Sequence, residues 1–278
     1  MVYPQRGGGS SELFSTCHLW NPPYSGYVSV PKNPGGFQFP KLGGNYAGIT
    51  CYVNSESREY IETKLSRVLD PGVNYYVEFW VSLANESNYA VENIGAYFST
   101  DTLHYSSNIT TLIDAQVEHS GGIITDTMNW VKVSGYFKPN KDGYQFLTIG
   151  NFQPSDSTNK TLVGWHAYEG AYYYIENVVV IDSALQHTIG IKETVTEPVE
   201  VKVYPNPACG IVNIEFSNRF DSEFEIQIFD IIGRKRYVKS FAFSKNLELD
   251  ISELESGMYF IRIIGKGGSH ISQKLIIE

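Results

Sequence analysis

Apolar and polar positions alternate along most of this chain, and the alternation predicts strands. In the last 78 residues, 201–278, Val212, Ile214 and Phe216 share one face while Asn213 and Glu215 share the other. Phe224, Ile226 and Ile228 stand in the same way against Glu225 and Gln227. The pattern returns at Leu247, Leu249 and Ile251, at Tyr259, Ile261 and Ile263, and at Ile271, Gln273, Leu275 and Ile277. A period of two puts successive side chains on opposite faces of a sheet, so each run reads as a half-buried strand. With Val201–Tyr204 and Lys235–Phe241 added, about seven strands fall at the 8–12-residue spacing of a small β-sandwich. Pro205 and Pro207 lack backbone donors and are expected to stop the first strand. Asp230-Ile231-Ile232-Gly233 reads as a tight hairpin whose glycine takes a positive φ, and Gly257 opens the strand that carries Tyr259.

The same logic holds upstream on a larger scale. After a turn at Asp70-Pro71-Gly72, residues Tyr75, Val77, Phe79, Val81 and Leu83 alternate with Tyr76, Glu78, Trp80 and Ser82. Val131 and Val133 alternate with Lys132 and Ser134, Phe137 resumes the pattern, and Tyr144–Ile149 and Tyr172–Ile181 supply two more strands. No long segment has helical periodicity, so an antiparallel sandwich is expected over residues 1–184. Residues 185–200 carry Thr, Glu and one Pro without a clear period and read as a linker to the sandwich at 201–278.

Composition agrees with two folded β-domains: 42% apolar, 14% aromatic and only 18% charged residues in a chain of 278. No stretch approaches the ~20 apolar residues of a membrane span, so no transmembrane segment is expected. The last 78 residues hold ten Lys plus Arg and ten Asp plus Glu, so the net charge of −9 belongs to the first 200 residues. An acidic surface repels phosphate, which argues against nucleic acid as a partner, and against anionic headgroups. It is compatible with a neutral polysaccharide or with calcium.

The short motifs of the tail are specific. Tyr204-Pro205-Asn206-Pro207, Gly233, Gly257-x-Tyr259 and the terminal Lys274-Leu275-Ile276-Ile277-Glu278 resemble, in order and in ending at the chain terminus, the type A C-terminal sorting domain of the type IX (Por) secretion system. The resemblance implies a seven-stranded immunoglobulin-like sandwich and recognition by the outer-membrane translocon. It also implies a secreted or surface-attached product, commonly after cleavage near the linker. Lys274 and the residues after it match the short segment on which export in that family depends. Met1–Ser10 lack an apolar signal-peptide core, so the chain is expected to be truncated at its start. In an exported protein Cys17 and Cys51 are the candidates for a disulfide, while Cys209 reads as a packing thiol.

Several upstream phrases resemble a jelly-roll surface module of the carbohydrate-binding kind. These are Ser57-Arg58-Glu59-Tyr60-Ile61, the run Tyr75–Ala84, the run Ala90–Phe98, and Tyr172-Tyr173-Tyr174-Ile175-Glu176-Asn177-Val178. The last stands where such modules commonly have Ile-Asp-Asp-Val, and Glu176-Asn177 weakens any calcium role of that pair. A structural calcium is otherwise expected at Asp182, with loop oxygens completing the site. Residues 1–200 hold 17 of the 20 Tyr and all four Trp. These side chains join a flat apolar face to a polar tip and suit sugar stacking as well as core filling. Trp20, Tyr24, Tyr27, Trp165 and Tyr168 lie in Pro-, Gly- or Ser-rich segments and are the exposed candidates.

Catalytic signatures are missing from the sequence. The six histidines are scattered without metal-ligand spacing, and there is no nucleophile elbow or phosphate loop. Glu56, Glu59 and Glu62 suggest a glycoside hydrolase, but their spacing reads better as a solvated acidic face. The expectation is an all-β surface protein with a glycan-binding or adhesive jelly roll and no enzymatic activity. The alternative is a structural or protein-interaction module.

Overall fold

The computed structural model describes residues 12–15, 30–41, 45–54, 57–103, 113–166, 168–185, 200–217, 223–242, 244–265 and 270–278. The chain divides into two compact units, residues 1–192 and 193–278. Both are all-β. Trp20, Tyr24, Tyr27, Cys17 and Glu56 lie outside the described residues, as does the expected linker except for Leu185 and Glu200.

The first unit is a jelly-roll sandwich of two main antiparallel sheets. One has the order β1 (Glu12–Ser15), β4 (Asn45–Val53), β13 (Gly170–Asp182), β6 (Tyr75–Leu83), β10 (Val131–Phe137). The other runs β5 (Ile61–Lys64), β11 (Phe146–Asn151), β8 (Ile94–Ser99), β9 (Val117–Glu118). Two small ribbons join β2 (Lys32–Asn33) to β3 (Gly36–Phe37) and β7 (Tyr89–Val91) to β12 (Lys160–Leu162). The alternation on β6 fixes its inward face. Val77, Phe79 and Val81 are fully buried among Ile49, Cys51, Ile94, Phe98, Val133 and Ile149 from both sheets. Phe98 and Phe137 stack across the core at 4.5 Å. Burial raises the Cys51 thiol pKa well above its ordinary value.

The opposite face of the five-stranded sheet is also dry. Tyr46, Trp130 and Tyr174 form a second core with Val30 and Ala84, and Trp80 and Tyr172 pack against it. The cover is residues 30–41. Trp130 Nε1 donates to Phe39 O (2.8 Å), Gln38 Nε2 to Ser82 Oγ (2.7 Å) and Tyr174 Oη to Asn33 Oδ1 (2.7 Å), while Lys41 Nζ sits 3.4 Å over the Trp80 ring. Buried donors and acceptors need partners, and these bonds supply them. Much of the unit's aromatic content is therefore spent on a second core.

The second unit is a seven-stranded immunoglobulin-like sandwich. Its strands are β14 (Val201–Cys209), β15 (Ile211–Phe216), β16 (Glu223–Asp230), β17 (Lys235–Ala242), β18 (Asn246–Asp250), β19 (Gly257–Gly265) and β20 (His270–Ile277). They are hydrogen-bonded in the order β17-β16-β19-β20-β14-β15-β18. The inward residues read from the alternation, among them Val212, Ile214, Phe216, Ile226, Ile228, Ile261, Ile263 and Leu275, form its core. One expectation is corrected: β14 does not stop at Pro205. It pairs antiparallel with β15 through Tyr204, then pairs parallel with β20 at Ala208, so one strand serves both sheets. Cys209 is also exposed rather than packed.

Candidate functional site

The tail motifs that sequence places far apart meet at the last strand. Pro205 and Pro207 have no N–H to offer β20, and the side chain between them takes over. Asn206 Nδ2 donates to Lys274 O (2.7 Å), and Ile276 N donates to Asn206 Oδ1 (2.9 Å). Glu278 N then donates to Ala208 O (3.0 Å). The Asn amide thus supplies one donor and one acceptor, as a strand residue would, and pins the chain terminus. Tyr204 itself is half exposed on the β15 side.

The remaining motif positions have separate roles. Gly233 takes φ 81° in the β16–β17 turn, as expected. There Asp230 Oδ1 accepts from Ile232 N (3.1 Å) and Arg234 N (2.9 Å), and Arg234 Nε meets Asp230 Oδ2 at 2.7 Å. Burial opposes ionisation of Asp230, but the Arg234 and Ile232 bonds outweigh it and hold its carboxyl below the usual range. Tyr259 packs in the core and donates to Glu255 O (2.8 Å). At Gly257 a Cβ would meet only Tyr259 Cε2 at 3.7 Å, so the fold supplies no steric reason for that glycine. Lys274 is exposed and contributes its backbone carbonyl to the Asn206 clasp.

Residues 202–278 match the family model of the secretion system C-terminal sorting domain. The chain is therefore an exported protein, delivered to the cell surface or released, and its sorting domain engages the secretion machinery. Among the described residues no helix is long and apolar enough to cross a membrane. Within the sorting domain, Asn206→Ala removes both clasp bonds, each worth about 1 kcal/mol net. Amide exchange over residues 270–278 of the full chain is expected to accelerate roughly thirtyfold. Asn206→Asp keeps the acceptor for Ile276 N and should fall between; unchanged exchange in both variants would refute the clasp.

Among the described residues of the first unit, Trp165 is the sequence candidate that the fold leaves in solvent, with a relative exposure of 87%. Its loop is built from Asn88, which precedes β7 and is buried. Asn88 O accepts from Val163 N (2.8 Å), Asn88 Nδ2 donates to His166 O (3.0 Å), and His166 N donates to Asn88 Oδ1. His166 Nδ1 lies 3.1 Å from Glu86 Oε2. A Cβ at Gly164 would stand 2.6 Å from the His166 ring and 3.2 Å from Ser87 O, so a side chain there would displace the imidazole. The indole flanks a depression of about 290 Å³ lined with Asn54, Tyr89, Leu162, His166 and Glu169. Exposed Leu162, the last residue of β12, and Val163 after it break the alternation, a signal present in the sequence. Tyr89 joins the site through its pairing with Leu162 across the β7–β12 ribbon, while His166 and Glu169 lie within four residues of Trp165 in sequence.

Other candidates are placed differently. Tyr168, expected exposed, is half-buried: its hydroxyl donates to Thr50 Oγ1 (2.8 Å), and burial pushes its pKa up to about 12. Glu59 and Glu62 do not form a solvated face. Glu59 Oε2 accepts from Thr50 N (2.8 Å), and Glu62, 5% exposed, accepts from Leu103 N (2.9 Å) and Thr148 Oγ1 (3.0 Å). Asp182 ends β13 and accepts from Ala184 N (2.9 Å). Among the described residues no group of three or more His, Cys, Asp or Glu is positioned for a metal ion.

No curated protein matches the chain. Similar solved structures include a family 16 carbohydrate-binding module (14% identity, 50% of this chain and 78% of that one, TM-score 0.27). The K3 cleaved adhesin domain of Lys-gingipain from Porphyromonas gingivalis matches at 16% identity, over 61% of this chain and 90% of that one, TM-score 0.31. Bacteroides uniformis β-glucuronidase 3 matches at 13% identity, over 78% of this chain and 26% of that one, TM-score 0.26. At such identities and TM-scores these likenesses carry no functional argument.

Proposed function

We propose that the first unit of this exported protein is a non-catalytic glycan-binding module that stacks a sugar ring of a polysaccharide on Trp165. The observation that carries this reading is the indole itself, 87% exposed on a loop fixed by Asn88, beside a depression with the Glu169 carboxylate. An aromatic face joined to a few polar groups is what a sugar, apolar on its ring faces and hydroxylated at its rim, requires. Hydrolysis needs two carboxylates facing one glycosidic bond, and Glu59 and Glu62 are already engaged with backbone amides and Thr148. A protein partner is the second reading, favoured by Leu162 and Val163, which extend an exposed apolar strip from Trp165.

The test is binding of the folded full chain to a broad glycan and polysaccharide array. Saturable binding to at least one glycan is expected. A blank from folded protein contradicts the glycan reading and leaves the apolar strip to a protein partner.

A further inference from the structure

We infer that the Trp165 depression takes one neutral or amino sugar at the end of a glycan and rejects a terminal sugar that carries a carboxylate. This rests on the glycan-binding reading of the same site. Three observations define the ligand.

The space is small. At about 290 Å³ the depression sits at the lower edge of the range for small-molecule sites, roughly 300–1,000 Å³. One sugar ring occupies it; a continuous chain would have to run on across open surface.

The stacking platform is single. Tyr89 is half-buried and held edge-on against Tyr52, with centroids 5.6 Å apart and planes at 72°. Tyr168 is turned inward to Thr50. Among the described residues no second exposed Trp, Tyr or Phe lines the depression, and exposed Tyr136 belongs to β10. Binding along a chain profits from successive platforms, whereas one platform walled by Leu162 and Tyr89 suits an end.

The charge is acidic. Glu169 is the carboxylate of the lining and is exposed there, whereas Glu86, 3.1 Å from His166, stands outside it. Lys160 is held over the Tyr52 ring, 4.5 Å from its centroid, and does not line the depression. Carboxylates accept strong hydrogen bonds from sugar hydroxyls or an ammonium group, and they oppose a second carboxylate at close range.

The experiment measures the full chain against immobilised oligosaccharides matched except for the terminal non-reducing residue: a neutral hexose, a hexosamine or a uronic acid. Neutral and amino termini should bind at least about tenfold more tightly than uronic ones, and Glu169→Gln should shrink that gap to a few-fold with Tm unchanged. Signal should follow the number of chain ends rather than chain length. Equal binding of uronic termini, an undiminished gap in Glu169→Gln, or binding that grows with chain length would overturn the inference while leaving glycan binding intact. Absence of binding to every glycan removes both together.

Discussion

Replacing Leu275 by Asp is expected to abolish surface delivery of the full-length chain, whereas Lys274→Ala, one residue earlier, should leave the sorting domain folded. Leu275 is fully buried in the sandwich core, packed with Ile228, Ile261 and Ile277. The change removes about 2–3 kcal/mol of apolar burial and places a carboxylate where no partner awaits it, a further cost of several kcal/mol. A small sandwich holds only about 5–10 kcal/mol in total, so the domain is expected to unfold. Lys274, by contrast, gives its carbonyl to Asn206 and leaves its side chain in solvent, so truncating it keeps the clasp. The two variants separate what the translocon reads. Cell fractionation and protease shaving of a host carrying the secretion system measure it. Normal delivery of Leu275→Asp would show that an unfolded tail suffices for export.

The second large effect is expected at Trp165. An 87% exposed side chain contributes little to folding, so Trp165→Ala should change stability by no more than about 0.5 kcal/mol. Loss of the indole face removes the anchor of the site, and such aromatic anchors are commonly worth about 2 kcal/mol or more, roughly thirtyfold in affinity. Tyr168→Phe is the informative contrast. It deletes the bond to Thr50 Oγ1, at a cost of about 1 kcal/mol in stability, and should leave affinity nearly unchanged.

The tail was legible because strands such as β15 and β16 have one wet and one dry face, which makes alternation a direct record of the sandwich. The run of β14 through two prolines was not legible. Its pairing depends on the Asn206 amide reaching residues nearly seventy positions later, and no local pattern encodes that contact. Upstream, the inward face of β6 could be read, but the outward aromatics could not be assigned. Tyr46, Trp130 and Tyr174, residue types that suit sugar stacking as well as core filling, form a second core beneath residues 30–41. Glu62 misled for a related reason: spacing shows charge, while burial and two hydrogen bonds show what the charge holds. Trp165 was legible as an aromatic in a Gly-containing segment, whereas Tyr89 reaches its site only across the β7–β12 ribbon.

The most direct measurement is calorimetric titration of the full chain and of Trp165→Ala, side by side, with the strongest glycan from the array, accompanied by their melting curves. Saturable binding by the parent, at least about tenfold weaker binding by Trp165→Ala, and superimposable melting are the predicted results. Equal affinity of two equally stable proteins would contradict a glycan site at Trp165.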